Sequence, residues 1–312
     1  PVIPDFSSRL QAQRVSWAVP QKSAARNRGL RVIEESVDKI EARANNMRKN
    51  IIKMLKEAGS GHPGGSLSAA DIVASLYFGG VMNYSEADPQ HPERDYFILS
   101  KGHAAPVLYA ALAELGYVPE DELLTLRKLH SRLQGHPDSK KLPGVEVSTG
   151  SLGQGLSIAA GVALGVRIDQ QRDGGPKRRV FTLLGDGEIE EGQVWEAAMF
   201  AAHYHLDNLV AIVDNNNLQI DGDVRDVAGL DNISSKFKSF GWQTIEVDGH
   251  DVGAVVTALK TATLLDGSPV CIVAHTVKGK GVSFMENQAG WHGKAPNEEQ
   301  AKEALAELEG GE

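Results

Sequence analysis

The sequence predicts an α/β fold: a mostly parallel sheet covered by helices on both faces. Three observations carry this. Five short apolar runs are continuous rather than alternating, as strands buried on both faces must be. Stretches with apolar residues at helical spacing lie between them. The two kinds alternate along the chain, and strand–helix–strand is the unit from which parallel sheets are built.

The elements follow in order. From Glu34 to Ala58 apolar residues recur at helical spacing (Ile40, Ala44, Met47, Ile51, Met54, Leu55). Gly59-Ser60-Gly61-His62-Pro63-Gly64-Gly65 breaks that helix; four glycines and a proline in seven residues predict a tight loop. Ser68 reads as the N-cap of a further helix through Tyr77. The expected strands are Tyr96–Leu99, Val180–Leu184, Leu209–Val213, Thr244–Val247 and Val270–Ala274. Helices are expected over His103–Leu115, Glu120–His130, Leu152–Gln171, Glu191–His205 and Val252–Leu265. Asp173-Gly174-Gly175-Pro176 is a turn, not a linker. The chain therefore divides into a basic arm over residues 1–33 and one α/β domain over 34–312, the latter closing on a short helix, Glu298–Leu308.

Bulk properties narrow the function. The chain has 312 residues and a formal net charge of -9, which repels nucleic acid unless a basic patch is segregated. No run approaches the ~20 apolar residues of a transmembrane helix, and there is no secretory apolar region. The single cysteine, Cys271, sits within an apolar run and reads as a core residue. With no intrachain disulfide possible, a reducing, cytoplasmic compartment is expected. The charge is uneven. Before Glu34 one acid, Asp5, faces Arg9, Arg14, Lys22, Arg26, Arg28 and Arg31. The segment has the look of a transit peptide, but the simpler expectation is a basic arm lying on the acidic body or on a partner.

The chemistry concentrates at two strand ends. Asp186, within Gly185-Asp186-Gly187, follows one strand directly, and Asn216, within Asp214-Asn215-Asn216-Asn217, follows the next. In parallel sheets ligands sit beyond the carboxyl ends of the strands, and the βαβ unit places these two ends side by side. Asp186 supplies charge and Asn216 a neutral oxygen to a small hard cation, whose remaining positions a diphosphate, a backbone carbonyl and water can fill. Gly185 and Gly187 allow backbone to approach phosphate, and the next helix offers N–H groups. A bare Gly-Asp-Gly is an ordinary βα turn with an Asp cap; the Asn cluster at βαβ spacing makes the metal–diphosphate reading.

Four histidines occupy glycine-flanked loops: His62, His103, His136 and His292. Singly, each is more often structural. Together, beside a diphosphate site, they supply imidazoles that shuttle protons near neutral pH and donate to a developing alkoxide.

These motifs resemble the N-terminal, diphosphate-binding portion of transketolase. The resemblance covers roughly Asn45 to Pro296. It rests on Gly61-His62-Pro63-Gly64-Gly65, Ser100-Lys101-Gly102-His103-Ala104, Gly135-His136-Pro137, the run from Pro143 to Gly155, Gly185-Asp186-Gly187 through Glu191-Gly192, and Ile220-Asp221-Gly222. It implies the thiamine diphosphate-binding fold, with thiamine diphosphate and Mg²⁺ (or Ca²⁺ or Mn²⁺) as cofactors. By resemblance Asp186, Asn216 and the carbonyl of Leu218 hold the metal. His103 and His292 touch the diphosphate, and His62 and His292 serve proton transfer near the reacting carbon. His136 meets the donor sugar's terminal hydroxyl, and Gly150 and Leu152 face the aminopyrimidine. Glu191 and Glu196 match acids at the subunit interface, Glu191 beside the cofactor; the residues alone read as solvated helix charge.

The resemblance also implies what is missing. Transketolases continue into a pyrimidine-binding domain, whose glutamate engages the cofactor's ring, and no residue here matches it. The glycine-bearing acidic tail and the extra basic arm favour a complete subunit of a split transketolase over a fragment. The implied partner is a C-terminal transketolase subunit carrying the pyrimidine-binding and C-terminal domains, in an α2β2 heterotetramer working on sugar phosphates. Alternatives are half of a 1-deoxyxylulose-5-phosphate synthase-like enzyme, or a non-catalytic cofactor-binding scaffold.

Overall fold

The computed structural model describes residues 30–85 and 87–310. The expected basic arm falls outside these residues except at its end, where Arg31 bridges Tyr84 and, just beyond it, Glu34 bridges Gly79. In chain order the elements are α1 (Val37–Ala58), α2 (Pro63–Ser68), α3 (Ala70–Phe78), β1 (Tyr96–Leu99), α4 (Ala105–Glu114), α5 (Gln154–Asp173), β2 (Val180–Gly185), α6 (Gly192–His203) and β3 (Leu209–Asn215). They continue as β4 (Leu218–Gln219), β5 (Gly222–Asp223), α7 (Val224–Ala228), α8 (Ile233–Ser239), β6 (Gln243–Asp248), α9 (Val252–Leu264), β7 (Val270–His275) and α10 (Glu298–Gly310).

Five strands form one parallel sheet in the order β1-β2-β3-β7-β6. The side-chain period of two divides the strand residues between two cores. Phe181, Leu183, Val210, Ile212 and Ile272 pack under α1, α3, α4 and α9. Leu184, Ala211, Val213, Cys271 and Val273 pack on the other face under α5, α6 and α8. This is why the central strands read as continuous apolar runs. Cys271 is fully buried, and burial pushes its thiol up from its ordinary value. β6 departs from expectation: it is an edge strand whose residues are only half-buried or exposed. Among the described residues no helix is long and apolar enough to cross a membrane.

Three other expectations need correction. Ser68 does not cap a helix; it closes α2, which begins at Pro63 inside the glycine-rich segment. Proline fixes φ at a helical value and its missing N–H costs nothing in the first turn, so the helix starts there despite Gly64 and Gly65. The Glu120–His130 helix is only a 3₁₀ turn over Glu120–Thr125, and Arg127 and His130 have φ of 61° and 68°. Leu123 and Leu126 are buried but Leu129 is 86% exposed, so the apolar stripe stops where the helix does. The helix expected from Leu152 starts at Gln154, because Gly153 (φ 81°) turns the chain into it. Smaller shifts occur at other boundaries: α1 begins at Val37, and Gly102–Ala104 is a 3₁₀ turn before α4.

Candidate active site

The carboxyl ends of β2, β3 and β7 meet in register, with Gly185 beside Asp214 and Asp214 beside Ala274. The loops leaving these ends, with α2, the β1–α4 loop and the segment before α5, line a cavity of about 90 Å³. Its lining includes Asp186, Asn216, Leu218, Leu152, His103 and His292 from the expected set. Gly185 and Gly187 also line it.

Three histidines from three separate loops converge here. The ring centroids of His62 and His103 lie 5.1 Å apart, those of His62 and His292 5.5 Å, and those of His103 and His292 5.2 Å. Burial, reinforced by the cations Arg127 and Lys278, pushes His62 down to about 4. Burial with Lys278 nearby pushes His292 down to about 3, and burial with Lys101 lowers His103. At neutral pH all three are neutral imidazoles, each offering one donor and one acceptor. Among the described residues the buried Nδ1 atoms of His62 and His292 have no hydrogen-bond partner. Since buried polar atoms are nearly always satisfied, these two are free to meet a ligand.

His136 lies outside the triangle. Its ring packs on Gly150 (φ 147°), where a Cβ would come within 2.9 Å of it. Burial and then Arg127 lower its pKa. Glu191 does not line the cavity. It is the exposed residue preceding α6, packed on Gly153, and Glu196 is exposed one helical turn further on.

The floor is polar and tightly wired. Asp186 is 3% exposed and accepts the backbone N–H of Gly187 at 2.9 Å and that of Asn217. Burial and the charge of Asp214 push it up to about 7, and no described cation makes an ion pair with it. Asn216 accepts Leu218 N–H at 3.2 Å. The Leu218 carbonyl accepts the Lys278 ammonium at 2.9 Å. A buried carboxylate outside any described ion pair, an amide oxygen and a carbonyl already drawn to a cation make a donor set that fits a hard divalent ion. Among the described residues no three His, Cys, Asp or Glu side chains cluster as a metal site.

Sequence reasoning missed four residues here. Lys101 and Lys278 are 1% and 2% exposed and line the cavity. Lys101 donates to the Gly65 carbonyl at 2.7 Å and pairs with the fully buried Asp214. Asp214 also accepts Ser68 Oγ at 2.6 Å, which is where the supposed capping hydroxyl goes, and Thr276 Oγ1. Glu188 accepts Ser100 Oγ, Gly153 N–H at 3.1 Å and Gly185 N–H at 3.0 Å, tying the Leu152 loop to the turn that carries Asp186. Both lysines stand just past a buried strand end, the same signal that singled out Asp186.

A larger cavity of about 260 Å³ also touches Asp186 and is lined by Arg225, Asp231 and Glu246; none of the four histidines reaches it.

The chain is similar to known proteins in sequence and in fold. A family model described as "Transketolase, thiamine diphosphate binding domain" matches residues 40–309. The chain is 42% identical over 276 residues to the 6-deoxy-6-sulfo-D-fructose transketolase subunit of a Clostridium species, covering 88% of this chain and 98% of that one. It is 42% identical over 274 residues to an apulose-4-phosphate transketolase subunit of Actinobacillus succinogenes, covering 88% of this chain and 97% of that protein. Human transketolase-like protein 2 is 47% identical over 266 residues, but the chain spans only 41% of its length. Among solved structures, transketolase from Campylobacter jejuni superposes with a TM-score of 0.83 at 34% identity, over 88% of this chain and 43% of that one.

Proposed function

This chain belongs to the transketolase thiamine diphosphate binding domain family, and from that premise we propose that it is the cofactor-anchoring subunit of a two-component transketolase. The observation that carries the reading is the meeting of His62, His103 and His292 above a floor holding Asp186, Asn216 and Lys278.

Asp186, Asn216 and the Leu218 carbonyl hold a divalent cation, Mg²⁺ by its match to one carboxylate and neutral oxygens. Lys101 and Lys278 add positive charge for the diphosphate, and Gly185 and Gly187 admit its oxygens. The bound thiamine diphosphate supplies the electron sink for breaking and making a C–C bond next to a carbonyl. The chain's own residues do the rest. His103 and His292 donate to the diphosphate, and His62 and His292 exchange protons with substrate oxygens through the nitrogens that lack a described protein partner. Their neutrality at physiological pH lets each serve as donor or acceptor. His136, held against Gly150, meets the donor's terminal hydroxyl. Gly150 and Leu152 bound the space for the aminopyrimidine.

The reaction moves a two-carbon ketol unit from a ketose phosphate to an aldose phosphate. A second polypeptide supplies the pyrimidine-binding and C-terminal domains; the near-full coverage of two proteins named as transketolase subunits supports this. The pair assembles as α2β2. The outer face of α5 and α6 suits an interface: Ile168, Met199, Phe200 and Tyr204 are exposed there beside Glu191 and Glu196. A single, buried cysteine is consistent with a cytoplasmic location.

Calorimetry with thiamine diphosphate and Mg²⁺ tests the proposal. Binding by the pair should be at least about tenfold tighter than by this chain alone, about 1.4 kcal/mol. Equal affinity with and without the partner overturns it.

A further inference from the structure

One largely buried network near the site lines no part of the cavity. Val277 N–H donates to His250 Nε2 at 2.8 Å. A backbone N–H can only donate, so Nε2 is an acceptor and the imidazole carries its proton on Nδ1. That Nδ1 lies 2.7 Å from Asp71 Oδ2 and donates to it. The same carboxylate oxygen receives Arg48 Nη2 at 2.5 Å. Arg48 comes from α1, Asp71 from α3, and His250 from the turn between β6 and α9. Burial works against the charge on Asp71, but Arg48 and the His250 bond outweigh it and hold the carboxyl below its usual range.

The segment so gripped leads into the site. Its neighbours are fixed to the segments around the cavity: Thr276 N–H to the Asn215 carbonyl at 3.1 Å, Lys278 Nζ to the Leu218 carbonyl, which lines it, at 2.9 Å, and Gly279 N–H to the Gly64 carbonyl at 3.0 Å. Packing presses the network onto the segment from both sides. A Cβ on Gly249 would stand 2.4 Å from Thr276 Cγ2, and one on Gly281 3.1 Å from Arg48 Cδ. Moving Val277 therefore moves Lys278.

We propose that Arg48, Asp71 and His250 form a buried relay of positioning residues that sets Lys278 against the Leu218 carbonyl, so that cofactor affinity depends on a histidine outside the cavity. This rests on the functional reading above. Residues that orient the groups contacting a metal or cofactor typically change affinity 10–100-fold when replaced.

The test uses His250→Ala and His250→Gln in the full chain. Paired with its partner, His250→Ala should weaken thiamine diphosphate binding in Mg²⁺ by about 10–100-fold, while kcat at saturating cofactor stays within about threefold. His250→Gln keeps an acceptor for the Val277 N–H and should recover most of the affinity. Amide exchange at Val277 in the cofactor-free chain should accelerate in His250→Ala and return toward wild type in His250→Gln. Unchanged Val277 protection in His250→Ala overturns the relay. So does a fall in kcat with unchanged cofactor affinity, or an equal loss in both variants. If the wild-type pair fails to bind thiamine diphosphate, the functional reading fails, and the exchange result still decides the relay.

Discussion

Asp186→Asn abolishes thiamine diphosphate binding and, in the metal-free chain, flattens the fall of stability with rising pH. Both effects come from one fact: Asp186 is a buried carboxylate that no described cation pairs with. With a divalent ion bound, that charge is the strongest protein ligand in the site. An amide cannot replace it, and the loss should exceed the 10–100-fold typical of groups that act through a ligand. Without the ion the same charge is a liability. Burial and Asp214 push the Asp186 pKa up to about 7 from an ordinary 3.8. The folded chain therefore holds a proton that the unfolded chain releases, and stability falls as pH rises through the window between those values. Asparagine removes that dependence. Thermal unfolding of the metal-free chains at pH 5 and pH 8 should show a smaller decline in melting temperature for Asp186→Asn than for the wild type. Unchanged cofactor affinity in the variant contradicts the metal-ligand role; an equal decline in both contradicts the electrostatic account.

Lys101→Met should be the most destabilising single change in the site. Lys101 and Asp214 are 1% and 0% exposed and pair directly. Burial alone would raise the Asp214 pKa, yet the charge and hydrogen bond of Lys101 hold it below its usual range. Removing one partner of such a pair strands the other charge and costs about 3–5 kcal/mol. The melting temperature should fall by on the order of ten degrees. The Gly65 carbonyl also loses its ammonium donor, so the turn carrying His62 loosens. Adding Asp214→Asn to Lys101→Met removes the stranded charge and should return most of the lost stability, because Ser68 and Thr276 can still bond to the amide. A single variant that melts with the wild type, or a double variant no more stable than the single, contradicts this account.

How much of this was legible depends on what each residue's role rests upon. The central strands were legible because burial on both faces demands apolar runs, which are local in sequence. β6 was placed correctly but misjudged in burial, because edge position depends on strand order. That Asp186 and Asn216 line the cavity was legible from the rule that sites gather at strand ends, and the meeting of three histidines from their glycine-flanked motifs. Lys101 and Lys278 were not, because a lone lysine beside glycine reads as surface; only the converging acids, Asp186 and Asp214, and carbonyls make burial tolerable. Ser68 was misassigned because its hydroxyl bonds across 146 positions rather than to its own helix. The His250 relay was out of reach for the same reason: Arg48, Asp71, His250 and Val277 lie far apart in sequence and meet only after the sheet has formed.

On the function proposed above, this chain holds one end of thiamine diphosphate and needs a second polypeptide to act. Ketol transfer measured with thiamine diphosphate, Mg²⁺, a ketose phosphate and an aldose phosphate tests it most directly. Each polypeptide is assayed alone, and then the two are mixed. Either alone should give negligible turnover and the mixture robust turnover, lost again when Asp186→Asn replaces the wild-type chain. Robust turnover by this chain without its partner would contradict it.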